Sequence, residues 1–212
     1  MPNVSHPQLA FWNRIARRYA RDPIADMPGY EATLHRVRAL LSAEQAVLEV
    51  ACGTGSTALR LAACTRRYLA TDVSTEMIAI AREKLQAQPV ATLQFEVADA
   101  VQPPAAGFDA LLAFNALHLL PDLDASLAAM LRALRPGGLF ISKTPCIGEM
   151  SPWVGRLAIP LARLLGKAPP VLVFKAQDLV ARLEQQGLRV EAVERHGTRG
   201  KDFRVFIVAR RP

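Results

Sequence analysis

Two glycines and three carboxylates in the first half of the chain have the types and spacing of a nucleotide-binding site. Glu49 lies inside an apolar run, and Gly53 and Gly55 follow it. Asp72 and Asp99 each end a later apolar run. Glycine has no Cβ atom, so the backbone there can turn sharply and lie close against a ligand. Since a carboxylate at a strand tip can accept both hydroxyls of a ribose, these residues predict a nucleoside or nucleotide site.

The stretches around these residues predict strands that alternate with helices. Residues 46–50, 67–72, 92–97 and 108–114 have the apolar and β-branched character of strands, and 56–63 is helix-like. A helix that follows the glycines directs its free N–H groups and positive dipole end at the same spot. The carboxyl ends of parallel strands meet at one edge of an open α/β sheet, so the polar side chains at these ends are expected to converge.

Two families use such an arrangement. Residues 53–58 fit the dinucleotide fingerprint G-x-G-x-x-G/A with an acid downstream, which is typical of NAD-dependent oxidoreductases. Residues 46–55 closely resemble the first motif of class I S-adenosylmethionine-dependent methyltransferases. Glu49 favours the second family, because a carboxylate suits the α-amino group of the methionine portion and a diphosphate has no use for it. The Leu-Arg-Pro-Gly-Gly sequence at 134–138 is a further match. Ala51 departs from the family, which often has glycine there, and we expect slight crowding without loss of binding.

The resemblance implies a role for each matching residue. Glu49 and the glycines would hold the methionine portion of the cofactor, Asp72 the ribose, and Asp99 the adenine amino group. Met77 would face the adenine ring, although its helical spacing also fits plain core packing. The expected cofactor-binding residues are Glu49, Gly53, Gly55, Asp72, Val73, Met77, Asp99, Ala100 and Asn115.

The acceptor side is predicted from three residues. Residues 11–19 resemble the N-terminal lid helix of small-molecule methyltransferases of the quinone-biosynthesis type, so Tyr19 is expected to help close the pocket. His118 is a candidate general base, because its unperturbed pKa lies near working pH. Alternatively, His118 only fills the wall of the predicted pocket, since positioning alone can drive methyl transfer. Trp153 lies in 145–170, a stretch that fits an apolar lid over the substrate, an interfacial helix touching lipid, or ordinary core packing.

The whole chain, 1–212, is expected to form a single methyltransferase domain with a Rossmann-like α/β fold. A seven-stranded, mostly parallel sheet should carry helices on both faces and end in an antiparallel strand, because 188–193 and 203–208 are close enough to pair as a hairpin. Residues 1–42 form the expected helical lid, and 145–170 the variable cover of the substrate site.

Composition limits the partners. The net charge of +7 permits an anionic substrate, a membrane surface or nucleic acid. Neither an appended RNA-binding module nor the Asn-Pro-Pro-Tyr or Asp-Pro-Pro-Tyr signature of nucleic-acid amine methylation is visible, so no nucleic acid is expected. The three cysteines form no paired framework, the N-terminus has no signal pattern, and no apolar run reaches the ~18 residues of a membrane span, so we expect a cytoplasmic protein. No ligand cluster indicates a metal.

The sequence therefore predicts S-adenosylmethionine-dependent methyl transfer to a small-molecule acceptor, with transient contact to a membrane surface as an option. Three alternatives stay open: an NAD-dependent oxidoreductase, an RNA methyltransferase, and a non-catalytic S-adenosylmethionine-binding subunit. The acceptor, the alkylated atom and the oligomeric state are not predicted.

Overall fold

Strands and helices alternate along the chain, as a parallel sheet requires. The computed structural model describes residues 8–151, 153, 157–165 and 168–212. The strands are β1 (Ala46–Val50), β2 (Arg67–Asp72), β3 (Leu93–Val97), β4 (Phe108–Phe114), β5 (Leu134–Pro145), β6 (Arg189–Glu194) and β7 (Arg204–Arg210). The α-helices are α1 (Leu9–Tyr19), α2 (Met27–Arg38), α3 (Ser56–Leu61), α4 (Thr75–Ala87), α5 (Leu123–Leu131), α6 (Ile159–Leu164) and α7 (Ala176–Gln185).

The seven strands form one sheet in the order β3-β2-β1-β4-β5-β7-β6. The first five strands of this order pair in parallel, whereas β7 runs antiparallel to both β5 and β6. The chain order reverses between β1 and β4, and ligands bind at such a switch point, outside the carboxyl ends of the strands. The predicted fold class, with its antiparallel last strand, is therefore confirmed.

The central strands are mostly apolar because both of their faces are covered. On one face, Val47 of β1 packs in a cluster with residues of α2, α3 and α4. On the other face, the adjacent Leu48 packs with residues of α5 and α7. This alternation along β1 places helices on both sides of the sheet and leaves its carboxyl edge free for a site.

The two N-terminal helices are fixed by different contacts. Helix α1 packs through Ala16 against Met77 of α4. Helix α2 begins at a cap in which Asp26 accepts a hydrogen bond from Gly29 N (3.1 Å) and a second pair from the backbone and hydroxyl of Thr198 (2.9 and 2.6 Å). A Cβ atom on Gly29 would lie 2.6 Å from the carbonyl oxygen of His196, so the start of α2 sits tightly on the loop between β6 and β7.

The region around 131–145 differs from the prediction. The apolar spacing after Pro121 predicts a helix to about Arg135 that Pro136, Gly137 and Gly138 stop, followed by a strand over 139–142. In the structure α5 ends at Leu131 and β5 begins at Leu134. The extension exists because the backbone N–H of Gly137 donates to the carbonyl of Arg211 (2.8 Å) and Arg211 N donates to Gly138 O (2.9 Å). The glycines that were expected only to stop a helix therefore fasten β5 to the end of β7.

The stretch 145–170 also differs. Pro160 was expected to kink a helix, but α6 begins at Ile159 with Pro160 in its first turn, where the missing N–H costs nothing. Cys146 and Ile147 at the start of this stretch are buried, whereas four leucines in its described part are largely exposed: Leu157, Leu161, Leu164 and Leu165. The expected helix start at Pro152 and the basic residues Arg156 and Lys167 lie outside the described residues. Among the helices that are described, none has the length and apolar character needed to cross a membrane.

Candidate active site

A tight turn joins β1 to α3 at the predicted glycine motif. Gly53 and Gly55 adopt the left-handed conformation, with φ of 55° and 74°. A Cβ atom on Gly55 would overlap the ring of Phe95, so only glycine fits there. Asp72, at the end of β2, accepts hydrogen bonds from Gly53 N (2.9 Å) and Ser74 N (2.8 Å). The carboxylate therefore holds the glycine turn against the tip of the next strand.

Two other residues near this edge have a left-handed backbone. Ala51 has φ of 52° and Asn115 has φ of 53°. Asparagine tolerates this region, but for alanine it costs about 1–2 kcal/mol relative to the right-handed conformation. The expected crowding at Ala51 is thus a backbone strain instead. Strained residues of this kind cluster at ligand sites.

Glu49 is a buried carboxyl group with 2% exposure on the same edge. The Tyr68 hydroxyl donates a hydrogen bond to Glu49 Oε2 (2.7 Å). Burial raises the pKa of Glu49 to about 8, against the opposing effect of this hydrogen bond. The group is therefore mostly protonated at neutral pH in the empty protein, and a bound ammonium group would favour its ionised form.

Two adjacent cavities open along the carboxyl edge of the sheet. The main cavity has a volume of about 390 Å³ and the side cavity about 70 Å³. The main cavity is lined by four of the predicted cofactor residues: Glu49, Gly53, Met77 and Asn115. The side cavity is lined by four others: Asp72, Val73, Asp99 and Ala100. Trp12, Ala51 and Leu119 line both, so the cavities are neighbours. Gly55 lines neither and acts through the shape of the turn.

The predicted acceptor residues differ in whether they line a cavity. Tyr19, in the last turn of α1, lines the main cavity, as does Tyr30 of α2. His118 lines neither cavity: it lies in the short 3₁₀ helix Leu117–Leu119, in which Leu119 takes the cavity-facing position.

Burial lowers the pKa of His118 to about 4, and no described residue bonds its buried Nδ1 atom. Trp153 is 71% exposed and also lies outside both cavities. The structure therefore does not bring these two residues to the site.

Several cavity residues were missed from the sequence. Lys143, at the carboxyl end of β5, is buried and lines the main cavity together with Thr33 and Arg204. A lysine two residues after the buried Ile141 of β5 was the available signal. In the described part of the chain, no group of three histidine, cysteine or carboxylate side chains comes together as a metal site.

Comparison with known proteins shows which family the first part of the sheet is similar to. Residues 47–138 match the family model described as a methyltransferase domain. An uncharacterised methyltransferase of Schizosaccharomyces pombe is 28% identical over 164 residues, covering 73% of this chain and 63% of the relative. A ubiquinone/menaquinone biosynthesis C-methyltransferase of Geobacter sulfurreducens is 35% identical over 98 residues, covering 43% of this chain and 38% of the relative.

A solved structure has the same fold. The magnesium protoporphyrin IX methyltransferase of Synechocystis, with bound SAH, superposes with a TM-score of 0.71 at 17% identity, covering 96% of this chain and 98% of that one. The match over 47–138 agrees with the predicted resemblance to methyltransferases, and the solved structure shows that the chain shares their fold. The chain spans less than two thirds of the length of either curated relative, so their names assign it neither substrate nor reaction.

Proposed function

We propose that this protein transfers a methyl group from S-adenosylmethionine to a small-molecule acceptor. The observation that carries the proposal is the meeting of Glu49, the glycine turn, Asp72 and Asp99 along two adjacent cavities at the sheet's switch point. The main cavity has room for the methionine portion and a further small molecule. The quinone-biosynthesis relative acts on a small molecule by its name, which supports an acceptor of that size.

The residues of the two cavities suit the parts of the cofactor. In the proposed arrangement Glu49 binds the α-amino group, and Gly53 gives the backbone close approach to the methionine portion. Asp72 already accepts two backbone N–H groups, but a carboxylate offers about four lone-pair positions and can also accept ribose hydroxyls. Asp99 Oδ1 accepts a hydrogen bond from Val101 N (3.1 Å), and in the proposed arrangement its other oxygen accepts one from the adenine amino group.

The remaining predicted cofactor residues line different cavities. Val73 and Ala100 line the side cavity with Asp99, where they would contact the adenine ring. Met77 lies in the main cavity and packs on Ala16 of α1. We therefore assign Met77 to the wall below the N-terminal helices rather than to the adenine site.

Positioning and exclusion of water account for the chemistry. S-adenosylmethionine supplies a methyl group on a sulfonium, which is a good leaving group. The chain must hold the acceptor in line with this methyl and keep water out. Trp12 and Tyr19 of α1 line the main cavity and are placed to keep water out of it. No general base is assigned, because His118 does not reach the cavity.

Contact with a membrane surface stays a prediction. The exposed leucines of α6 and the residues just before it, together with Arg163, have the composition of an interfacial helix. Sedimentation with anionic vesicles, compared with a Leu161→Asp variant, tests this contact separately from methyl transfer.

Two measurements test the function. Calorimetric titration with S-adenosylmethionine, its demethylated product and NADH should show binding of the first two only; NADH binding without S-adenosylmethionine binding would end the proposal in favour of an oxidoreductase. Methyl transfer from labelled cofactor should then be followed into a metabolite extract and into total RNA. Label in a small molecule supports the proposal, label in RNA favours the nucleic-acid alternative, and no label favours a binding subunit. An Asp99→Ala variant serves as the cofactor-site control.

A further inference from the structure

Lys143 places a positive charge in the wall of the main cavity. The residue is 9% exposed and lies in β5 beside Phe114, the last residue of β4. Its ammonium nitrogen donates one hydrogen bond, to Thr33 Oγ1 (2.7 Å). Within the described ranges no carboxylate oxygen lies within 4.0 Å of this nitrogen. The charge therefore faces the cavity with a single neutral partner.

The two carboxylates that favour the charged form of Lys143 accept hydrogen bonds from other residues. Asp26 accepts hydrogen bonds from the backbone and hydroxyl of Thr198, and Asp202 accepts from the backbone N–H of Arg204 (3.0 Å). Burial is the main cause of the lowered pKa of Lys143, and Arg204 lowers it further, while Asp202 and Asp26 act in the opposite direction. Arg204 itself lines the same cavity, with its Nε atom 3.5 Å from Asp202 Oδ1. Two cations thus lie near each other, and neither acid bonds to Lys143.

A buried ammonium group is costly unless an opposite charge or several acceptors compensate for its lost hydration. One threonine hydroxyl supplies only part of this compensation. The lining of the main cavity includes apolar side chains, among them Leu34, Phe114 and Leu119, as well as the Asp26 carboxylate that Thr198 already engages. A ligand that brings its own negative charge would complete the site.

We propose that Lys143, assisted by Arg204, binds a carboxylate of the methyl acceptor, which makes the acceptor an amphipathic organic acid. This inference rests on the proposed function and specifies its substrate class. The carboxylate is the group that the site recognises, and the apolar body of the acid occupies the aromatic and aliphatic wall.

The sheet register places Lys143 at a suitable distance from the cofactor site. Glu49 pairs with Leu112 of β4, and Leu112 pairs with Ile141 of β5. Lys143 is the next residue of β5 with the same orientation as Ile141, because side chains alternate along a strand. With strands about 4.8 Å apart and about 3.3 Å rise per residue, the two backbone positions are about 12 Å apart. An amine at Glu49 and a carboxylate at Lys143 thus bracket the space in which methyl transfer would occur.

The test compares matched acids and amides. Calorimetry in the presence of saturating S-adenosylhomocysteine measures 4-phenylbutyrate against 4-phenylbutanamide, and octanoate against octanamide. The variants are Lys143→Met, which keeps the chain length without the charge, and Lys143→Arg, which keeps a charge. Lys201→Met, in the loop between β6 and β7, removes an exposed lysine as the matched control.

In the unmodified protein and in Lys201→Met, at least one acid should bind tenfold or more tightly than its amide. Lys143→Met should lose this preference, and Lys143→Arg should keep part of it. Affinity for S-adenosylhomocysteine should change by less than about twofold in every variant, since Lys143 is not assigned to the cofactor. Because Lys143→Met removes a poorly compensated buried charge, we also expect it to raise the melting temperature, whereas loss of a purely structural lysine would lower it.

Three results would overturn the inference: equal binding of acid and amide, an acid preference that survives in Lys143→Met, or no acid binding while S-adenosylhomocysteine binds. In each of these the proposed methyl transfer would stand with another class of acceptor. Failure of the unmodified protein to bind S-adenosylhomocysteine would instead overturn the proposed function, and the inference with it.

Discussion

Binding of S-adenosylmethionine should release a proton from Glu49. The pKa of Glu49 is raised to about 8, so about nine tenths of the empty protein carries this proton at pH 7. The α-amino group of the cofactor, with a pKa of about 8, is then mostly an ammonium and takes up only about 0.1 proton. If the two groups form an ion pair, the net release is about 0.8 proton per site at pH 7.

The sign of this proton exchange depends on pH. At pH 9 Glu49 is mostly ionised in the empty protein while the free amine is mostly neutral, so binding should take up about 0.8 proton. The exchange should pass through zero near pH 8, where affinity is highest, because binding needs one group deprotonated and the other protonated. Calorimetry in phosphate and in Tris, whose ionisation enthalpies differ, measures the number of protons directly.

Two variants test the assignment to Glu49. Glu49→Gln should bind about 10- to 100-fold more weakly, which corresponds to losing a hydrogen bond to a charged group, and it should release no proton at pH 7. Tyr68→Phe removes the hydrogen bond that lowers the pKa of Glu49, so the crossover should move to higher pH. A release below about 0.2 proton at pH 7 in the unmodified protein, with cofactor bound, would refute the reasoning.

The same carboxyl group should make the empty protein less stable at high pH. Its pKa rises from an ordinary value of 4.5 to about 8 on folding, so the native state binds more protons between these values. The stabilising term is fully present below pH 4.5 and is lost as pH rises through 8, at about 1.4 kcal/mol per pH unit and about 5 kcal/mol in all. The difference in unfolding free energy between Glu49→Gln and the unmodified protein, from urea titrations across this range, should show that trend.

Three further substitutions have expected outcomes. Asp72→Ala should weaken binding of S-adenosylmethionine by about 1–3 kcal/mol and also lower stability, since it leaves backbone donors of the glycine turn without an acceptor; unchanged affinity in calorimetry would remove Asp72 from the site. Ala51→Gly should raise the free energy of unfolding by about 1 kcal/mol by relieving a positive φ, whereas the control Ala70→Gly in β2 should lower it by a similar amount; equal effects in urea unfolding would contradict the strain. Gly29→Ala should lower the free energy of unfolding by about 1–3 kcal/mol, because its Cβ atom would lie 2.6 Å from His196 O; an unchanged urea midpoint would show that α2 does not sit tightly on that loop.

The parts of the fold that the sequence predicted well are those with a local cause. The apolar, β-branched run before the glycines predicts a strand covered on both faces. A serine directly before a helical stretch predicts a cap, and Ser74 accepts a hydrogen bond from Met77 N (3.2 Å) at the start of α4. Asp72 and Asp99 could be assigned to strand ends because each follows an apolar run directly. Their approach to each other then follows from parallel pairing and needs no further information.

The errors occurred where the outcome depends on distant chain segments. His118 and Leu119 are neighbours at the end of β4, and the sequence does not tell which of them faces the cavity; the hydrogen bond from Leu172 N to His118 O (2.7 Å) shows that a later segment packs against this turn. The extension of β5 through Gly137 likewise depends on Arg211, more than seventy residues away in the chain. No pattern in the local sequence indicates these contacts.

The position of Lys143 in the cavity wall also could not be predicted from the local sequence. Its orientation follows from the alternation along β5, which the sequence contains, and Ile141 on that face is fully buried. A residue in this pattern is expected in the core, where a lysine would be destabilising. Whether it faces packed side chains or a cavity depends on how far α2 extends over the sheet, and that is set by the cap at Asp26 and its bonds to the loop between β6 and β7. Burial disfavours the charged forms of both Glu49 and Lys143, and the proposed ligand groups would favour these charged forms. The cavity is therefore defined by two ionisable groups on one face of the sheet, of which sequence pattern alone could identify only the one beside the glycine motif.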